Sequence, residues 1–124
     1  MDLLLDTQIL VWVASGDPRL KRAIRDRLTA QDARLFVSAV TAFEFVELDR
    51  RGRFPPIVSF DAICRALAVQ LLDYPSECWR LVDALPQLHR DPVDRMLVAH
   101  AMHADLTLVS ADKIVRDYPV RCLW

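Results

Sequence analysis

Short apolar runs recur along this chain at intervals that a helical crossover fills. Leu3-Leu4-Leu5 reads as a buried strand, and Leu35-Phe36-Val37, Leu71-Leu72 and the stretch from Leu106 to Val109 as further strands. Between them lie segments whose apolar residues return every three or four positions. Parallel strands need a crossover of a dozen residues or more, usually a helix, and such sheets are covered on both faces. The pattern therefore predicts an α/β fold with a mainly parallel sheet of four to five strands, Val120 to Leu123 supplying an edge strand. With 124 residues, 53% of them hydrophobic, the chain is long enough to bury a real core, and no repeat or linker divides it. A single domain over residues 1–124 is expected.

Punctuation residues set the expected boundaries. Ile9, Leu10, Trp12 and Val13 follow Asp6-Thr7 at helical spacing, and Ser15-Gly16-Asp17-Pro18 turns the chain into a second helix. Leu20, Ile24 and Leu28 form that helix's core stripe. A strongly apolar helix from Val40 to Arg51 ends at Gly52 and Pro55-Pro56, and Gly52 to Ile57 reads as a flap. Ser59 caps the next helix, running to about Ala68. Pro75-Ser76-Glu77 opens another that stops near Pro86, and Asp91-Pro92-Val93-Asp94 starts one through Ala104.

The charge balance is 16 Lys+Arg against 17 Asp+Glu, which excludes a uniformly basic nucleic-acid glove and an acidic tail. Fourteen of the bases are arginine and fourteen of the acids aspartate, so function through charge must come from local clustering. No apolar run suits a membrane span and the N-terminus lacks a signal-peptide pattern, so a cytoplasmic protein with no membrane partner is expected. Cys64, Cys78 and Cys122 read as buried, inert thiols, and Trp12, Trp79 and Trp124 as packing residues.

In a parallel α/β sheet, strands end and the following helices begin at one edge, where ligands bind. Asp6 closes the first strand, Asp91 and Asp94 open the helix before the fourth, and Ser110-Ala111-Asp112 follows the fourth directly. Glu44 joins them one turn into its helix. There Ala42, Phe43, Phe45, Val46 and Leu48 spread apolar surface nearly all round, so burial of the helix is expected and its carboxylate needs a partner. Several carboxylates in one half-buried cleft repel one another and raise each other's pKa values. A divalent cation removes that conflict, and oxygen ligands without a Cys or His cluster indicate Mg²⁺ or Mn²⁺. Metal-assisted phosphoryl transfer follows, hydrolysis of a phosphodiester being the simplest case.

Each acid also has a structural explanation. Asp6, Asp91 and Asp112 can cap helices, with Asp91 the better cap and Asp94 the inward-facing ligand. Glu47 and Arg51 have i,i+4 geometry, which leaves Glu44 unpaired. His100 reads as a satisfied core histidine. His89-Arg90 is either a phosphate contact or a plain loop, and Arg50, Arg51 and Arg53 lie at a helix end beside the flap. Two other classes compete. A receiver-type phosphoacceptor domain would use Asp73 but gives Glu44 no role, and a haloacid-dehalogenase-like start would need an acid where Gln8 stands. A non-enzymatic dimer or protein-binding module with a vestigial metal site would present the apolar helix from Met96 to Met102.

The segments LLLDTQILVW, VSAVTAFEFVELDRRGRF, LPQLHRDPVDRMLVAHAM and LTLVSADKIVRDYPVRCLW resemble the PIN-domain ribonucleases, and within them the VapC-type toxins of prokaryotic toxin–antitoxin pairs. The likeness covers nearly the whole chain in order. It implies a three-layer α/β/α sandwich and RNA cleavage dependent on one or two Mg²⁺ or Mn²⁺ ions. It further implies a homodimer and a cognate antitoxin that inserts near the active site. Matched position by position, the implied acidic site is Asp6, Glu44, Asp94 and Asp112, with Thr7 and Ser110 as hydroxyl neighbours and Asp91 as an extra acid. Arg50, Arg51, Arg53 and Arg90 are the candidate RNA-backbone contacts. Gln8 and Leu48 depart from the family pattern, where many relatives carry His or Asn and Lys respectively, and this bears on target choice.

Overall fold

The computed structural model describes residues 1–124. Its elements in chain order are β1 (Asp2–Leu5), α1 (Thr7–Ser15), α2 (Arg22–Leu28), β2 (Arg34–Ser38), α3 (Ala39–Arg50), α4 (Phe60–Leu67) and β3 (Gln70–Leu72). Then follow α5 (Cys78–Ala84), α6 (Pro92–His103), β4 (Thr107–Val109), a 3-10 turn over Val115–Asp117 and β5 (Cys122–Leu123). All neighbouring strands pair in parallel, in the order β3-β2-β1-β4-β5.

β1 is the central strand, and its three leucines are fully buried. A strand sandwiched between two layers has no solvent side, which is why Leu3-Leu4-Leu5 does not alternate with polar residues. Leu3 and Leu5 point into one core cluster with Ile9, Leu10, Ile24, Leu28, Phe45 and Ile63, drawn from α1 to α4. Leu4 points the other way, into a cluster with Cys78, Leu97, Val98 and Ala101 from α5 and α6. The result is the α/β/α sandwich with a five-stranded parallel sheet.

Local signals act where the sequence puts them. Gly16 ends α1 at φ +65°, and Gly52 follows α3 at φ +68°, both in the left-handed region that glycine enters without strain. Ser59 caps α4 by accepting the Ala62 N–H at 3.2 Å. His100 is buried with Nδ1 2.9 Å from Ser38 Oγ, a satisfied core histidine. The Met96–Met102 helix face is not an open subunit surface, because Leu97 to Ala101 lie under the sheet. All three cysteines are free, and burial raises the pKa of each thiol.

Three expectations need correction. α3 is not buried nearly all round: Thr41 and Phe45 face inward, but Phe43 is 78% and Val46 47% exposed. The helix packs on β2, α1, α4 and α6, Val40, Ala42 and Leu48 are half-buried, and Phe43 and Val46 stand in solvent. The cover expected on both faces of the sheet stops at β3, an edge strand whose Gln70 and Leu71 are exposed. Trp79 is exposed as well, with the Arg80 guanidinium 4.7 Å from its ring centre, whereas Trp12 and Trp124 pack together at 5.7 Å.

Candidate functional site

The strand order makes the site. From β1 the chain steps to β2 and β3 on one side, then returns to β4 on the other, so a crevice opens between the carboxyl ends of β1 and β4. A cavity of about 360 Å³ lies there. Asp6, Thr7, Glu44, Asp91, Asp94 and Asp112 all line it, with Gln8, Leu48, Phe54 and Ala111. The four predicted ligands, which span more than a hundred residues of sequence, therefore converge.

Each side chain is held by local structure. Asp6 is the N-cap of α1: its Oδ1 accepts the Ile9 N–H at 2.9 Å. Asp112 Oδ1 takes the N–H groups of Ile114 and Val115 at 2.8 and 3.3 Å, while its Oδ2 faces His89 Nε2 at 2.8 Å. Asp91 caps α6 by accepting the Val93 N–H at 2.9 Å, with Pro92 in the first turn, and this sets Asp94 on the cavity side. Structural and chemical roles thus coexist in one residue, one oxygen for each in Asp112. Glu44 is half-buried and accepts a short hydrogen bond from the Thr7 hydroxyl. Ser110 is buried, and its Oγ accepts the Asp112 N–H at 3.2 Å. Glu47 pairs with Arg51 at 3.0 Å, which leaves Glu44 to the cavity as its spacing implied.

The electrostatics match a cluster that wants a cation. Burial, with Glu44 and Asp112 nearby, pushes the Asp6 carboxyl up to about 6. Burial and the Asp91 charge push Asp94 up to about 7. Burial also raises Glu44, against the Thr7 hydrogen bond. Asp112 goes the other way: burial works to raise it, but the His89 hydrogen bond and the two backbone N–H groups outweigh burial and hold it below the usual carboxylate range.

His89, whose sequence context fits a phosphate contact and a plain loop equally, lies against two of the acids. Its Nε2 is 2.8 Å from Asp112 Oδ2 and 3.1 Å from Asp94 Oδ2. These three residues form a group whose ligand atoms lie within 4.8 Å of one another. The only signal in the sequence was adjacency to the Asp91-Pro92 cap. Of the arginines, Arg53 lines a neighbouring hollow with Gln8, Leu48 and Phe54, and Arg90 another with His89 and Pro92. Arg50 and Arg51 line neither. The loop from Gly52 to Ile57 is anchored by Phe54, whose ring sits 5.0 Å from that of Phe45 and forms part of the cavity wall.

Carboxylates that burial holds partly protonated, in a set of hard oxygen donors, fit a small divalent cation. Asp94 and Asp112, with His89, are the group whose donor atoms lie close enough together to share one ion, and Asp6 and Glu44 line the same cavity.

A family model described as PIN domain matches residues 3–120. The chain belongs to the PIN-domain family, the nuclease family that its motifs resemble. No curated protein matches it. Among solved structures, VapBC2 from Rickettsia felis bound to a promoter DNA fragment aligns with a TM-score of 0.70 at 15% identity, over 99% of this chain and 98% of that one. DNA-bound VapBC from Salmonella typhimurium aligns at 0.69 and 18%, over 99% and 97%. VapC20 from Mycobacterium tuberculosis, a toxin that cleaves the sarcin–ricin loop, aligns at 0.60 and 16%, over 93% of each chain. At these identities the likeness establishes the fold.

Proposed function

We propose that this chain is a metal-dependent endoribonuclease, the toxin of a type II toxin–antitoxin pair, acting in the cytoplasm as a single domain. The observation that carries the reading is the convergence of Asp6, Glu44, Asp94 and Asp112 on one cavity at the sheet's switch point. A bound Mg²⁺ or Mn²⁺ ion supplies positive charge for a non-bridging phosphate oxygen and lowers the pKa of the attacking water.

The protein's own contribution is placement. Asp94 and Asp112 form one side of the cluster, Asp6 is fixed by its cap, and Thr7 orients Glu44 from the opposite helix. Asp91 holds the first turn of α6 and so the direction of Asp94. Arg53 and Arg90, in hollows beside the cavity, are placed to meet phosphates of the RNA backbone, which positions a strand without reading its bases. Arg50 and Arg51 lie further along the helix end and would extend that contact.

The partner reading, a cognate antitoxin and a homodimer, is supported by fold likeness to VapBC assemblies and by the exposed Phe43 and Val46 on α3. A receiver-type reading has no such support, since Asp73 is exposed after an edge strand and does not line the cavity. No helix is long and apolar enough to cross a membrane.

The test is cleavage of RNA by purified protein with Mg²⁺ or Mn²⁺, beside D6N and D94N. Wild type should cut and both variants should lose at least ~100-fold in rate, the scale of losing a transition-state electrostatic group. Equal activity in all three would sink the assignment.

A further inference from the structure

His89 has no part in the function proposed above, yet its imidazole touches two of the four carboxylates. Its Nε2 lies 2.8 Å from Asp112 Oδ2 and 3.1 Å from Asp94 Oδ2. Adjacent donors around a small divalent ion with bonds of about 2.1 Å stand roughly 3.0 Å apart, so the ring is either a neighbour of the cation or an occupant of its place.

The other ring nitrogen decides between these. Nδ1 accepts the backbone N–H of Asp91 at 3.0 Å, so it presents a lone pair and the ring proton sits on Nε2. A histidine that binds a metal through one nitrogen donates an N–H from the other to a carbonyl or carboxylate. Here the other nitrogen faces a donor. The Nε2–H is therefore given to Asp112, with Asp94 Oδ2 3.1 Å away beside it, and does for the pair what a cation would do.

The loop carrying the ring is fastened from below. Tyr118 Oη accepts the His89 N–H at 2.8 Å and the Leu88 N–H at 3.3 Å. Arg95, buried on α6, donates to the same oxygen at 3.1 Å and to the carbonyls of Pro86 and Val82 at 2.9 and 2.8 Å. On its outer side His89 lines a second hollow with Gln87, Arg90 and Pro92, which gives the ring somewhere to go.

We propose that His89 is an internal place-holder for the metal: in the metal-free protein its Nε2–H is donated to Asp112 with Asp94 close beside it, and a divalent cation displaces the imidazole toward the outer hollow. Tyr118 is the positioning residue that keeps the ring in register. The inference rests on the reading of the acidic cavity as a metal site.

The experiment combines imidazole ¹⁵N–¹H NMR of the wild-type protein, before and after Mg²⁺, with calorimetric titration of Mg²⁺ and Mn²⁺ into wild type, H89A and Y118F. In the metal-free protein His89 should be the Nε2–H tautomer, and Mg²⁺ should abolish that signature. H89A should bind Mg²⁺ about tenfold more tightly than wild type, since no hydrogen bonds to the carboxylates are broken on loading. Y118F should weaken the Nε2–H signature and tighten Mg²⁺ binding by less. Binding of Mg²⁺ with the His89 resonances unmoved, or an H89A affinity equal to or weaker than wild type, would overturn the place-holder; a weaker affinity would make His89 a ligand. Absence of binding by either metal to every protein would overturn the metal-site reading and this inference together.

Discussion

Asp6 and Asp94 are the residues whose protonation sets how the site responds to pH. Their folded-state pKa values of about 6 and about 7 stand above the ordinary 3.8 because both carboxyls are desolvated beside other acids. The native state therefore holds protons that the unfolded chain has already released between pH ~4 and ~7, and stability contributed by these groups is lost as pH rises through that window. Thermal melts of metal-free protein should show a higher Tm at pH 5 than at pH 8. Glu44, also raised, adds in the same direction, whereas the lowered Asp112 loses stability only under more acidic conditions. Metal binding must expel the same protons, so Mn²⁺ affinity measured by calorimetry should fall on going from pH 8 to pH 5.5. A Tm that rises with pH across the window would contradict this assignment of charges.

At the scale of elements, the starts of helices carry both folding and chemistry. Asp91 caps α6, and D91A should cost about 1 kcal/mol, the usual value of an N-cap, read as a lower denaturant midpoint. Because Asp94 lies in the first turn of the same helix, D91A should also weaken Mn²⁺ binding. α3 offers a sharper contrast between neighbours. Phe45 is 2% exposed and packs on Phe54 and Phe60, so F45A should cost ~3–5 kcal/mol. Phe43, two residues earlier, is 78% exposed, and F43S should change the midpoint by no more than ~0.5 kcal/mol. Equal losses for the two would mean that α3 is turned differently on the sheet.

At the scale of the molecule, the active crevice is a consequence of strand order. With β1 and β4 adjacent at the centre, residues that end one strand meet residues that follow the other, and the two core clusters hold the helices that bear the remaining acids. If Glu44 and Asp94 hold a cation there, as proposed, they would tie α3 and α6 to the sheet centre. Mg²⁺ at a hundred times its Kd should therefore raise stability by ~2.7 kcal/mol, seen as a higher Tm in wild type and not in D94N. An identical rise in both proteins would place the bound metal elsewhere.

Periodicity and punctuation in the sequence determined the alternation of strands and helices, the parallel sheet, most helix ends and the acids that gather at one edge, because those follow from local backbone physics and from the right-handed crossover. What periodicity could not supply is which side of an element meets its neighbour. The apolar count on α3 predicts a helix buried nearly all round, yet only packing decides that Phe45 faces the core while Phe43 faces water. His89 illustrates the same limit. Its role depends on a hydroxyl from Tyr118, twenty-nine residues away, and on the direction of the Asp91 N–H, contacts that exist only once the chain has closed. Only the tertiary structure therefore placed an imidazole N–H beside two of the carboxylates that the sequence had already marked.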